Sequence, residues 1–180
     1  PAEDDVLVYE EKDSGFYVGV NETQSGRFAT IYAHDHQTSE VYLIDAEAPE
    51  TPPRLIAARE HGHEYAVDHH GDRLFVMTNS GGAEDFRICE APLADPQMGN
   101  WREVLPHKPG RLLLDIVAFA GHLVRLERED GLPRIVIRRL ADNNEHAIAF
   151  DEEAYSLGMS AGYEFDTTAL RFTYSSMTTP

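Results

Sequence analysis

What the chain lacks narrows its function first. It has a single cysteine, Cys89, so it forms no internal disulfide and no cysteine metal cluster. Such a residue is expected to be buried as a small hydrophobe, and it fits a reducing, cytoplasmic setting. Cations are scarce: 15 Lys+Arg face 32 Asp+Glu, for a net charge of −17. With no basic patch to release counterions from a phosphate backbone, nucleic acid is not a partner. No apolar run approaches the roughly 20 residues of a membrane-spanning helix. The opening PAEDDVLVYEE lacks the basic-then-apolar order of a signal peptide, so a soluble chain with no membrane partner is expected. Its first residue is Pro1 in place of Met, which suggests a processed product or an excised piece. Neither G-x-x-x-x-G-K-[ST] nor G-x-G-x-x-G occurs, and no nucleotide or other cofactor is expected. Helical periodicity is nearly absent as well.

What is present is strand after strand. Runs such as Arg27-Phe28-Ala29-Thr30-Ile31-Tyr32 and Arg73-Leu74-Phe75-Val76-Met77-Thr78 are short, rich in β-branched and aromatic residues, and bounded by turn formers. They also repeat. A turn containing Gly26, Gly71 or Gly121 precedes a strand each time, and Asp166-Thr167-Thr168 takes that place a fourth time, at intervals of 45, 50 and 45 residues. A period of about 40 to 50 residues with four short strands marks β-propeller blades. The expected fold is all-β, a partial propeller of about three and a half blades: 15–58, 64–105 and 112–150 as whole blades, 154–176 as the first half of another, and 6–11 as the last strand of a preceding one. A closed propeller needs typically 4 to 8 blades, so the ends should expose apolar surface and open strand edges. Self-association through those edges is the expected consequence for the isolated chain.

Chemical motifs are few. Gly158-Met159-Ser160-Ala161-Gly162 satisfies G-x-S-x-G, but a nucleophile elbow needs a following helix and then Asp and His in chain order, and the last histidine is His146. The motif reads as small residues near the end of an innermost strand, and no catalytic residue is expected. His34 with His36 and His61 with His63 are spaced i, i+2, as two zinc ligands on one strand face would be. A third ligand is missing, and both pairs fall where histidine is expected to be solvated; no metal site is assigned. The acidic residues are more informative by placement. With strands A to D in each blade, D-to-A connections and B-to-C loops share one side of the disc. That side collects Glu10, Glu11, Asp13, Asp35, Glu60, Glu84, Asp85, Asp130, Asp151, Glu152 and Glu153 against Lys12, Arg59 and Arg128. Such a face concentrates cationic ligands.

Several stretches resemble the oligopeptidase B branch of the prolyl oligopeptidase family of serine peptidases. They are Asp5 through Glu11, Thr38 through Asp45, His63-Glu64-Tyr65, Thr78-Asn79, Phe150 through Leu157, Phe165 through Thr168, and most specifically Leu170 through Pro180. The resemblance implies a seven-bladed propeller capping an α/β-hydrolase domain that is absent from this chain, and cleavage of short basic peptides after Arg or Lys. It implies that the catalytic Ser, Asp and His have no counterpart here. The role it implies for this chain is to filter and steer peptides; placement on the acidic side marks Glu10, Glu11, Asp35, Glu60, Glu84, Asp130, Asp151, Glu152 and Glu153 as the expected steering or interdomain residues. A stand-alone interaction scaffold of the same fold is the alternative, since fold does not fix function.

Overall fold

Residues 5–160 and 164–179 are described by a computed structural model, and they contain fourteen strands and no α-helix. Blade 1 is built from β1 (Tyr17–Glu22), β2 (Phe28–His34), β3 (Ser39–Asp45) and β4 (Arg54–Leu55). Blade 2 comprises β5 (Tyr65–His70), β6 (Arg73–Thr78), β7 (Arg87–Pro92) and β8 (Arg102–Leu105). Blade 3 comprises β9 (Arg111–Ala118), β10 (His122–Glu129), β11 (Leu132–Arg139) and β12 (Glu145–Ala147), and blade 4 is the pair β13 (Tyr155–Met159) and β14 (Phe172–Ser176). Each sheet is an antiparallel meander in simple sequence order, and no strand is shared between sheets.

Local chemistry sets the hairpins. Asp130 and Gly131 both adopt positive φ, 53° and 83°, in the two-residue turn between β10 and β11; this is the turn whose twist matches paired strands. Between β5 and β6 only Gly71 needs a positive φ, of 63°.

Side-chain alternation then joins the blades. Phe28, Val41 and Leu43 of blade 1 meet Tyr65, Leu74, Val76 and Cys89 of blade 2 in one core. The alternate residues of blade 2, Phe75, Met77 and Ile88, meet Leu113, Ile116 and Leu123 of blade 3 in a second. Hence β6 reads as an unbroken apolar run: both of its faces are covered, and Leu74 through Thr78 are all buried. Each such side chain contributes about 1.5–3 kcal/mol on burial. Cys89 is among them, buried as a small hydrophobe. In the third core Phe119, Val124 and Ile135 are buried, but the blade 4 residues against them, Leu157, Met159 and Phe172, are only partly so.

The outer strands differ from the sequence reading. The fourth strands stop early, at Leu55 where 58 was expected and at Ala147 where 150 was expected. Past Leu55 one more bond joins the two strands, from the Ile56 N–H to the Val41 carbonyl at 3.0 Å; Ile56 and Ala57 are buried, and the Tyr65 hydroxyl accepts from the Ala57 N–H at 3.2 Å and donates to its carbonyl at 2.6 Å. Residues 6–11, expected as a strand, form none, and no strand among the described residues pairs with them. Tyr9 packs on Tyr42 at 5.1 Å, and Val6 and Leu7 are exposed.

Candidate functional site

The meander places residues 35–38, 58–64, 79–86, 106–111, 129–131 and 148–154 on one side of the blades, as the strand order requires. The carboxylates assigned there are put to two different uses. Glu11 lies 2.6 Å from Arg59, which also reaches Glu40 at 2.8 Å and stacks over the Phe16 ring at 4.0 Å. The Arg59 guanidinium holds the Glu11 carboxyl down to about 2, so this residue fastens the entering segment to blade 1. Asp35 accepts the N–H groups of Gln37 and Thr38 at 2.8 and 2.7 Å, which lower its pKa and close the loop between β2 and β3. Glu152 accepts from the hydroxyls of Thr178 and Thr179 at 2.9 and 3.3 Å, and Asp130 makes its turn. Glu10, Glu60, Glu84, Asp151 and Glu153 are exposed, and their carboxylates take no partner among the described residues. The opposite side is acidic too: Glu22, Glu50, Asp72, Asp95, Glu164 and Asp166 are exposed there. The negative surface therefore spans both sides of the blades, where the sequence reading placed it on one.

The histidines are not simply solvated. His63 and His69 are both buried. His63 Nε2 is 2.9 Å from the Thr78 hydroxyl and its ring stacks on Tyr65. His69 Nδ1 is 2.7 Å from the Ser25 hydroxyl, and its Nε2 donates to the Gly71 carbonyl at 2.8 Å. Burial lowers the pKa of both rings, favouring the neutral form. They bridge strands and blades, and among the described residues no three His, Cys, Asp or Glu converge as a metal-binding set.

Sequence reasoning missed Asp68, in the innermost strand of blade 2. One carboxylate oxygen accepts from the Gln24 N–H of blade 1 and from its neighbour His69, both at 2.9 Å; the other accepts from the Ala118 N–H of blade 3 at 2.7 Å. Three blades are thus tied at one carboxylate. Burial outweighs these donors and pushes its pKa up to about 6. The signal was there as a lone acid inside an apolar strand, Ala66-Val67-Asp68, where a buried charge needs partners. Of the G-x-S-x-G stretch, Gly158 and Met159 end β13 and Ser160 follows it, while Ala161 and Gly162 lie outside the described residues.

Comparison with known proteins agrees with this architecture. The family described as prolyl oligopeptidase, N-terminal beta-propeller domain, matches residues 1–180. Dipeptidyl aminopeptidase BI of Pseudoxanthomonas mexicana is 36% identical over 100% of this chain and 25% of its own length. Protease 2 of Moraxella lacunata is 32% identical over 99% of this chain and 25% of its own. Oligopeptidase B from Trypanosoma brucei, with covalently bound antipain in a closed form, superposes with a TM-score of 0.90 and 30% identity over 100% of this chain and 27% of that one. The chain thus spans about a quarter of the relatives it matches. With a family match along its whole length and successive four-stranded antiparallel blades that do not close, the chain belongs to the N-terminal β-propeller domain of the prolyl oligopeptidase family.

Proposed function

We propose that this chain is part of the propeller through which a serine peptidase of this family admits short basic peptides to a hydrolase domain carried elsewhere in the same polypeptide, and that it cleaves nothing itself. The observation that carries the reading is the family match over residues 1–180 in a chain one quarter the length of its relatives, together with an all-β structure in which the described residues offer no strand-to-helix elbow. Glu10, Glu60, Glu84, Asp151 and Glu153, exposed on an already acidic surface, draw cationic peptides inward by long-range attraction. A reducing compartment, the cytoplasm, suits the lone buried thiol of Cys89. The exposed strand β1 and the half-blade at the other end lead the isolated chain to self-associate through open edges; static light scattering reads this directly.

The test uses the longer protein. Replacing Glu60, Glu84 and Asp151 by the corresponding amides lowers kcat/KM for dibasic peptides several-fold at low salt and little at high salt, since screening acts over about 10 Å at 0.1 M. A loss independent of ionic strength overturns the steering role. Hydrolysis of an arginyl-aminomethylcoumarin peptide by the 180-residue chain alone, abolished by Ser160→Ala, overturns the non-catalytic one.

A further inference from the structure

A crevice of about 320 Å³ opens where the innermost strands of blades 1, 2 and 3 approach one another. Its walls include Tyr32, Met77 and Leu114, and Glu22 and Asp115 line it as well. Glu22 and Asp115 are exposed and Met77 is buried, so the acids form the rim and the apolar groups the depth. Thr30, also in the lining, is 7% exposed, yet its hydroxyl has no hydrogen-bond partner among the described residues. Asp115 is delivered to this rim by a β-bulge: Leu126 pairs with Asp115 and Glu127 with Leu113, so Leu114 has no partner on β10. Bulges re-aim side chains in this way. Among the described residues neither Glu22 nor Asp115 forms an ion pair, and the Asp115 carboxylate accepts from the adjacent Ile116 N–H at 2.8 Å.

We propose that this crevice is a binding site for the side chain of an arginine or lysine in a peptide, its aliphatic stem against Met77, Leu114 and Tyr32 and its cationic head between Glu22 and Asp115, with the Thr30 hydroxyl as an additional acceptor. The match is one of shape and chemistry together. Long basic side chains lay their methylenes on apolar surface while the head stays among polar groups, and the walls and rim are ordered in that way. A plain acidic patch would have no apolar wall, and a purely apolar pocket would have no carboxylates at its mouth. The site deepens the reading of this propeller as the part that admits basic peptides and rests on it. It names where a cationic residue pauses on the blades.

Binding is read without catalysis, so failure here is distinguishable from failure of the steering role. Nα-acetyl-argininamide is titrated into the 180-residue chain at near-physiological salt while the Met77 methyl resonance is followed; Nα-acetyl-citrullinamide, the same shape without the charge, is the control. The expected result is a saturable shift with the arginine compound, at least tenfold weaker with citrulline and in the Asp115→Asn/Glu22→Gln double variant. Because the citrulline arm uses the unaltered chain, it stands even if the variant folds poorly. No saturable shift at Met77, equal affinity for the citrulline compound, or undiminished binding in a folded double variant overturns the proposal.

Discussion

Blades 2 and 4 are built from similar strands and end in different states. In blade 2 both faces of β6 are covered, and its innermost strand reaches into both neighbours through Asp68. On the blade 1 side Tyr65 completes the joint: its hydroxyl accepts from the Val41 N–H at 2.8 Å while donating to the Ala57 carbonyl. On the blade 3 side Arg138 donates to the Val104 carbonyl at 3.2 Å, and Arg125 is sandwiched between Glu127 and Glu145. Blade 4 has comparable apolar content, with Phe150 stacked on Tyr174 at 4.7 Å and set against Phe172 at 5.8 Å. None of its strand residues is buried, and a backbone bond from the Ala120 N–H to the Phe165 carbonyl at 2.9 Å ties its loop to blade 3. The difference teaches that a blade's burial comes from its neighbours. Stability in such an array is the sum of blade and joint terms, and the last blade has one joint where the middle has two.

The comparison breaks first at Asp68. Asp68→Ala strands three N–H donors, two of them in buried bonds, and removes the tie among three blades; a loss of about 3 kcal/mol or more is expected in urea unfolding. A smaller loss, about 2 kcal/mol, is expected for Tyr65→Phe, which keeps the ring and leaves the Val41 N–H and the Ala57 backbone groups unpaired. Phe172→Ala in blade 4 should cost only about 1 kcal/mol, because the site is half open before the change and little cavity is created. A cost for Phe172→Ala equal to that at Asp68 would show that the end blade is as tightly held as the middle. The smallest effect is a pH dependence. Burial raises the Asp68 carboxyl from 3.8 to about 6, so the folded chain holds that proton more tightly than the unfolded one. The contribution of this residue is therefore largest below pH 3.8 and declines as pH rises to about 6. Measured against Asp68→Asn, the wild-type chain should lose relative stability across that window; a gain would contradict the assignment.

The middle of the molecule was legible in sequence because its strands are bounded by turn chemistry that acts locally. Gly71 and Asp130-Gly131 fix hairpins, and the apolar run of β6 announces a strand covered on both faces. The edges were less legible. Where the outermost strands stop depends on what they pair with, as at Leu55, and residues 6–11 have strand composition without a partner. The carboxylates divide the same way. Charge counting found Glu60 and Glu84 on the surface, but it could not separate them from Glu11, which Arg59 claims from another part of the chain. Nor does a linear pattern show that a bulge at Leu114 turns Asp115 toward a crevice shared by three blades.

The central claim is that these blades are an arc of a larger ring, held in the middle and completed at the ends by the rest of a longer polypeptide. Amide hydrogen exchange, resolved by strand and recorded for the 180-residue chain and for the longer protein that contains it, tests this most directly. In the chain alone, amides of β5, β6 and β7 should exchange slowest and those of β1, β13 and β14 fastest. In the longer protein, protection at β1, β13 and β14 should rise to approach that of blade 2, with β6 changed little. Uniform protection in the isolated chain, or end strands that stay unprotected in the longer protein, would contradict the account.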